Sequence, residues 1–129
     1  MEDLNQGQTA LNQSFEIQEI AAEVGFDWDK VENVIAKIKE ELNELNEAIE
    51  GERKERIEDE IGDLLFATVN LSRFYDINPE LSLISSILKF KKRFQFIENK
   101  VDQSGKSFKD FTLRELDKFW EESKKNKKK

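Results

Sequence analysis

A chain of 129 residues in which 38% are charged, with one proline and a mean hydropathy of −0.73, suits one compact, mainly helical domain with solvated faces. Histidine and cysteine are both absent, which excludes disulfides, thiolate or imidazole chemistry and an ordinary structural zinc site. The net charge of −7 hides a basic end: five of the 21 basic residues fall in the last six positions, leaving 16 against 28 acids upstream, a net of −12 that argues against nucleic acid binding by the body.

Residues 1–13 are polar and rich in Asn, Gln and Gly, and read as a disordered lead-in. A first helix is expected from Ser14 as N-cap, with Phe15, Ile17, Ile20, Ala21 and Val24 as its apolar face and Gly25 as its stop. Phe26, Asp27 and Trp28 make a short connection whose two rings belong against the core. Asp29 and Glu32 resemble a capping box opening a second helix, striped by Val31, Val34, Ile35, Ile38, Leu42, Leu45 and Ile49 and ended by Gly51.

A third helix runs from about Arg53 to Tyr75, with Ile57, Ile61, Leu64, Thr68, Leu71 and Tyr75 on one side. Asp76 and Ile77 turn the chain, then Asn78 caps and Pro79 takes the first position of a fourth helix. Its stripe is Leu83, Ile87, Phe90, Phe94, Ile97 and Val101, while Lys89, Arg93 and Phe96 share another face. Residues 102–111 form the longest loop. Thr112 and Glu115 then cap a fifth helix carrying Leu113, Leu116 and Trp120, with Lys124 one turn further on. There is no strand pattern of useful length and no internal repeat. The expected fold is all-α, a bundle of about five helices over 14–124 followed by a solvated lysine-rich tail at 125–129. No apolar run approaches the roughly 20 residues that a membrane span needs, and with no cysteine and no signal-peptide pattern a cytoplasmic location is expected.

The acids of the second and third helices carry the chemistry. Glu41 and Glu44 are three residues apart, as are Glu60 and Asp63, so each pair spans about 60° around its helix. If the chain folds back near Gly51, residues 44 and 60 stand equally far from the turn, as do 41 and 63. Glu44 then faces Glu60, and Glu41 faces Asp63. Glu41 sits on the shoulder of its apolar stripe, and Glu60 lies between the third helix's stripe and Ala67. Carboxylates so placed need pairing or neutralising, and an all-oxygen cage favours Mg²⁺, Mn²⁺ or Ca²⁺.

The bland alternative is a solvated acidic face, the norm for a lone Glu-Glu-x-x-Glu. A second acidic pair, the matched register and the apolar flanks of Glu41 and Glu60 weigh against it. Lys37 falls between Glu41 and Glu44 on the wheel, Arg56 flanks Asp63, and Glu40 points away. Lys89 and Arg93 are either surface cations or, beside a bound metal, clamps for phosphoryl oxygens. Trp120 reads as core, or with Lys124 as a surface on which a base stacks.

The stretches Gly25-Phe26-Asp27-Trp28, Lys39-Glu40-Glu41-Leu42-Asn43-Glu44, Glu60-Ile61-Gly62-Asp63-Leu64-Leu65-Phe66-Ala67 with the following Thr68-Val69-Asn70-Leu71, and Lys89-Phe90-Lys91-Lys92-Arg93-Phe94 resemble the MazG family of nucleoside triphosphate pyrophosphohydrolases. The likeness is to the catalytic C-terminal domain of two-domain MazG proteins, so the chain is either a fragment or a short standalone member. It implies an all-α fold that forms a homodimer and a Mg²⁺-dependent hydrolysis of NTPs to NMP and pyrophosphate by metal-activated water, with Mn²⁺ as a substitute ion. By the same resemblance Glu41, Glu44, Glu60 and Asp63 hold the metal, with Glu40 in a supporting role; in the mechanism expected from this, a carboxylate not fully used as a ligand, Glu41 or Glu40, orients the water. Lys89, Arg93, Trp120 and Lys124 would contact nucleotide, with Lys37 and Arg56 at the mouth of the site. The rival expectations are a non-catalytic helical module that senses nucleotide or binds a partner protein, and a relative specialised for dUTP or phosphoribosyl-ATP.

Overall fold

The computed structural model describes residues 8–125, which are helical throughout apart from short connections. The order is α1 (Ala10–Glu23), α2 (Val31–Glu50), α3 (Lys54–Phe74), α4 (Pro79–Ser104), a 3₁₀ turn (Phe108–Asp110) and α5 (Leu113–Lys125). The chain divides after Ser82 into two compact units. Among the described residues no helix is long and apolar enough to cross a membrane.

In the first unit α3 is central, packed on one side against α2 and on another against α1. Val34, Ala48, Ala67 and Val69 are its buried apolar residues. The connection between α2 and α3 is three residues long, so the two helices form an antiparallel hairpin. Gly51 ends α2 in a helical conformation, and the left-handed turn residue is its neighbour Glu52, at φ 53°. The α3 stripe expected around Leu64 is not the face that this helix buries: Ile57, Leu64 and Leu71 are half-buried, while Ile61, Thr68 and Tyr75 are exposed. Val69 and Arg73 are buried on the opposite side, which a helix with two neighbours requires.

Two expected helix starts are corrected. The first helix begins at Ala10, because Thr9 supplies the cap: its Oγ1 accepts the Asn12 N–H at 3.2 Å and donates to Glu80 at 2.7 Å. Residues 10–13 are therefore helix rather than lead-in, and Ser14 lies inside α1. The rest of the expected lead-in, residues 1–7, and tail residues 126–129 lie outside the described residues. The second helix starts at Val31 with Lys30 as N-cap, and no side chain caps it. Of the acids in this connection, Asp27 forms the local bond, accepting the Trp28 N–H at 2.7 Å. Nor do the aromatics of that connection pack inward as expected, for Phe26 is 84% exposed. The Asn78 cap forms as expected, its Oδ1 accepting from the N–H groups of Glu80 and Leu81 at 2.9 and 3.1 Å.

In the second unit α4 runs to Ser104, three residues into the expected loop, and Gly105 breaks it at φ 74°. The 3₁₀ turn is held by Asp110, whose Oδ2 accepts from the Ser107 N–H at 2.9 Å and its hydroxyl at 3.2 Å. Thr112 and Glu115 cap α5 reciprocally, at 2.8 and 3.1 Å. Phe94 stacks between Phe90 and Phe108, with ring centroids 5.9 and 5.6 Å away. Of the expected α4 stripe only Ile97 and Val101 are buried; Leu83, Ile87, Phe90 and Phe94 are exposed, as are Ile84 and Leu88.

Candidate functional site

The α2–α3 hairpin converges Glu41, Glu60 and Asp63 so that one carboxylate oxygen of each lies within 4.8 Å of the other two. Glu41 and Glu60 are only 6% and 8% exposed, whereas Asp63 opens to solvent. The Oε2 atoms of both glutamates are buried and accept no hydrogen bond among the described residues. Buried carboxylate oxygens are costly when unpaired, so two at one point demand a positive partner. Lys37 supplies part of it: its Nζ lies 2.6 Å from Glu40 and 3.2 Å from Oε1 of Glu41. Those hydrogen bonds, to Glu40 first and Glu41 second, hold the ammonium above its ordinary pKa. No bond reaches the two Oε2 atoms, and an all-oxygen set around them suits Mg²⁺, Mn²⁺ or Ca²⁺.

Glu44 stands beside this group rather than within it. Partial burial pushes its carboxyl above the usual value, and hydrogen bonding with Glu60 and that residue's charge add to the rise. Desolvation likewise raises Asp63, with Asp59 and Glu41 repelling it and Lys37 opposing them. The expected cross-helix pairs are visible in these effects, since Glu60 acts on Glu44 and Glu41 acts on Asp63. Glu40 is exposed and tied to Lys37 at the rim, and Arg56 is exposed without an ion pair among the described residues.

The first unit also holds a cavity of about 400 Å³. Ile17, Gln18 and Ala21 of α1 form one wall, residues 25–28 a second, and Phe66 and Asn70 of α3 the third. Buried Arg73 ties the walls together. Its guanidinium pairs with Asp27 of the connection, donates through Nε to Oδ1 of Asn70 at 2.9 Å, and lies 3.9 Å from Glu19 of α1. Arg73, Gln18 and Phe66 carry no mark of a site in the motifs of the sequence. The available signal was Leu65, Phe66 and Val69, apolar residues lying off the Leu64 stripe and marking a second apolar face, of which Val69 is buried and Leu65 and Phe66 are exposed.

The other candidate nucleotide contacts belong to the second unit. Lys89 is exposed, Lys124 pairs with Glu121 at 3.2 Å, and Arg93 lies over the ring of Trp120, 5.5 Å from its centroid. Phe90 meets the same ring at 5.4 Å.

A family model described as the MazG nucleotide pyrophosphohydrolase domain matches residues 29–99, a span that takes in Lys37, all four acids and Asn70. The nucleoside triphosphate pyrophosphohydrolase/pyrophosphatase MazG of Thermotoga maritima is 43% identical over 115 residues, which is 89% of this chain and 44% of that protein. The nucleoside triphosphate pyrophosphohydrolase of Escherichia coli K12 is 34% identical over 128 residues, covering 96% of this chain and 48% of that protein. The uncharacterized protein YabN of Bacillus subtilis is 40% identical over 75 residues, 58% of this chain and 15% of its own length. The chain thus spans about half the length of the two named pyrophosphohydrolases that it matches. With the acidic hairpin inside the matched span and the described residues all-helical, the chain belongs to the MazG nucleotide pyrophosphohydrolase family.

Proposed function

We propose that this protein is a divalent-cation-dependent nucleoside triphosphate pyrophosphohydrolase, converting an NTP and water to NMP and pyrophosphate. One observation carries the reading: Glu41 and Glu60 each bury an unpartnered oxygen beside Asp63, within a match to the nucleotide pyrophosphohydrolase family. Glu41, Glu60 and Asp63 would hold Mg²⁺, or Mn²⁺ in its place, with Glu44 joining from the next turn of α2. When bound, such an ion neutralises phosphoryl oxygens and acidifies water.

The chain's own groups do the rest. Water attacks the α-phosphorus, the bond to the bridging oxygen breaks, and pyrophosphate departs. Glu41 or Glu40 accepts the proton that the water gives up, and Lys37, bonded to both, steadies them. Lys89, Arg93, Trp120 and Lys124 are proposed as nucleotide contacts on the family resemblance, and Arg56 as a weaker one. Release of pyrophosphate from NTPs with Mg²⁺, abolished by EDTA, is the expected result. A protein that binds the ion and the nucleotide without releasing pyrophosphate would be a sensing module instead.

A homodimer is the proposed working unit. Leu83, Ile84, Ile87, Leu88 and Phe90 of α4 are 41–59% exposed, a patch that a second copy covers by isologous packing. Light scattering at micromolar concentration should give twice the chain mass, and Leu88→Glu should halve it. A cytoplasmic location is proposed from the absence of cysteine.

A further inference from the structure

The charge of the chain is divided between its two units. Residues 1–82 hold 7 basic residues against 21 acids, whereas residues 83–129 hold 14 against 7. The acidity of the whole is therefore an average over a strongly acidic unit and a basic one. Asymmetry of this kind, with the cations drawn up along a helix, is the electrostatic footprint of a surface for a polyanion.

Within the basic unit the cations are ordered. At about 100° per residue, Lys89, Lys92, Arg93 and Lys100 of α4 fall within an arc of about 100°, with Phe96 near its middle. They extend over about 16 Å of the helix axis. Glu98 and Asp102, the acids of α4 in this unit, lie on the opposite side. None of the four cations pairs with an acid among the described residues, although acids are the commoner charge in the chain. Unpaired cations repeated along one edge suit a backbone of repeating phosphates.

Aromatic rings stand among these cations. The Nζ of Lys100 lies over the ring of Phe96, 5.6 Å from its centroid, and the Arg93 guanidinium lies over Trp120 of α5 at 5.5 Å. Rings and guanidinium planes are the surfaces on which unpaired bases stack. Bases in a duplex are already stacked on one another, so these groups favour a single strand. The apolar stripe of α4 occupies a different face, proposed above for a second copy. This edge therefore lacks the run of apolar side chains that a lipid surface would take up.

We infer that the edge of α4 formed by Lys89, Lys92, Arg93, Phe96 and Lys100 binds single-stranded nucleic acid, with its cations on the phosphates and its rings against the bases. The surface lies within one unit, and the inference does not depend on the pyrophosphohydrolase reading. Lys89 and Arg93 are shared with the proposed nucleotide contacts, whereas Lys92, Phe96 and Lys100 serve the strand alone.

The probe is a labelled oligouridylate of about twelve nucleotides, read by fluorescence anisotropy on the full chain. Its 5′ end is a hydroxyl, so it brings no triphosphate to the acids. Binding is expected at micromolar concentration in low salt. Log K should fall against log salt with a slope of about −2 to −3, as three or four phosphate contacts require. Lys92→Glu combined with Lys100→Glu should weaken binding about tenfold or more and flatten the slope by about 1 to 1.5, with NTP turnover unchanged. Should the double variant unfold, Lys92→Glu alone, at an exposed position, carries the test with a slope change of about 0.7. Phe96→Leu should weaken binding about fivefold at an unaltered slope, because stacking carries no charge.

No binding at about 100 µM protein in low salt would overturn the assignment. So would wild-type affinity in the charge-reversed variants; loss of binding in Lys127→Gln, Lys128→Gln and Lys129→Gln combined would then place the contact in the lysine-rich tail. A duplex of the same length bound as tightly as the strand would refute the stacking role and the assignment with it. Binding to phosphatidylglycerol vesicles without binding to the strand would make a lipid surface the partner and refute it likewise.

Discussion

Lys37 and Glu41, one turn apart on α2, are joined at 3.2 Å through Oε1 of the glutamate, while its Oε2 lies buried without a hydrogen-bond partner. The lysine is thus the built-in cation of an acidic group that lacks another. Lys37→Met should lower the stability of the metal-free protein by about 1–2 kcal/mol, below the range for a fully buried pair because the ammonium is partly in water. Saturating Mg²⁺ should recover most of the loss. Thermal melts in EDTA and in Mg²⁺ test this, and an equal deficit in both conditions would contradict it.

Glu60 shows the conflict between stability and chemistry most directly. It is 8% exposed, has an unpartnered oxygen and sits with two other acids. Glu60→Gln keeps the shape and removes a charge, so the metal-free protein should gain about 1 kcal/mol. Pyrophosphate release should fall by about 100-fold or more, the scale on which one lost electrostatic partner acts at a reacting centre. Glu41→Gln and Asp63→Asn should behave alike in activity with the helical circular dichroism intact. Full activity in any of the three would remove that residue from the site.

The raised carboxyls of Glu44 and Asp63 set the direction of the pH dependence. A carboxyl whose value is raised on folding favours the folded state below its unfolded pKa, and that advantage is lost as pH climbs through the raised value. The metal-free protein should therefore lose stability as pH rises from the ordinary carboxylate range toward the elevated one. Cation binding needs the ionised forms, so Mg²⁺ affinity should rise over the same interval, with protons released on binding. Calorimetry in buffers of different ionisation enthalpy counts those protons. Binding with no proton release at mildly acid pH would exclude Glu44 and Asp63 from the site.

The facing of the acids was legible because it needs only two numbers, the helical period and the position of one turn. A hairpin closing around Gly51 and Glu52 leaves no freedom in which level of α2 meets which level of α3. The caps at Asn78 and at Thr112 with Glu115 were equally local and equally readable. What escaped depends on a third neighbour. Arg73 looks like a solvent-facing cation when only the Leu64 stripe is considered, and its burial follows from α1 packing on the other side of α3. The Asp29–Glu32 box failed for a related reason, as this connection is shaped by Asp27 and its pairing with distant Arg73. In α4 the apolar period was clear, but a period does not say whether the partner lies within the same chain, and most of that stripe is exposed.

Arg73 is 8% exposed and joins α1, the connection 25–28 and α3 through Glu19, Asp27 and Asn70. Arg73→Met should cost about 2–4 kcal/mol, toward the lower end of the range for a severed buried pair because Asp27 can rehydrate. Asp27→Asn, which keeps an acceptor, should cost less. Urea unfolding measures both, and a loss under 1 kcal/mol for Arg73→Met, a weak pair's worth, would mean that the network is ornamental to the fold.

Gly62 stands in the middle of α3, next to Asp63, with nothing within 4 Å of where a Cβ would be. In an open helix interior glycine is less favourable than alanine by about 0.5–1 kcal/mol, so Gly62→Ala should raise stability by that amount. The substitution also probes what approaches this face. If a second copy lays its backbone against Gly62, the added methyl group would push the two apart, and the variant would lose stability on dilution where the wild type does not. Urea curves at two protein concentrations separate the cases. A gain that is the same at both places the dimer contact elsewhere, on surfaces such as the exposed apolar face of α4.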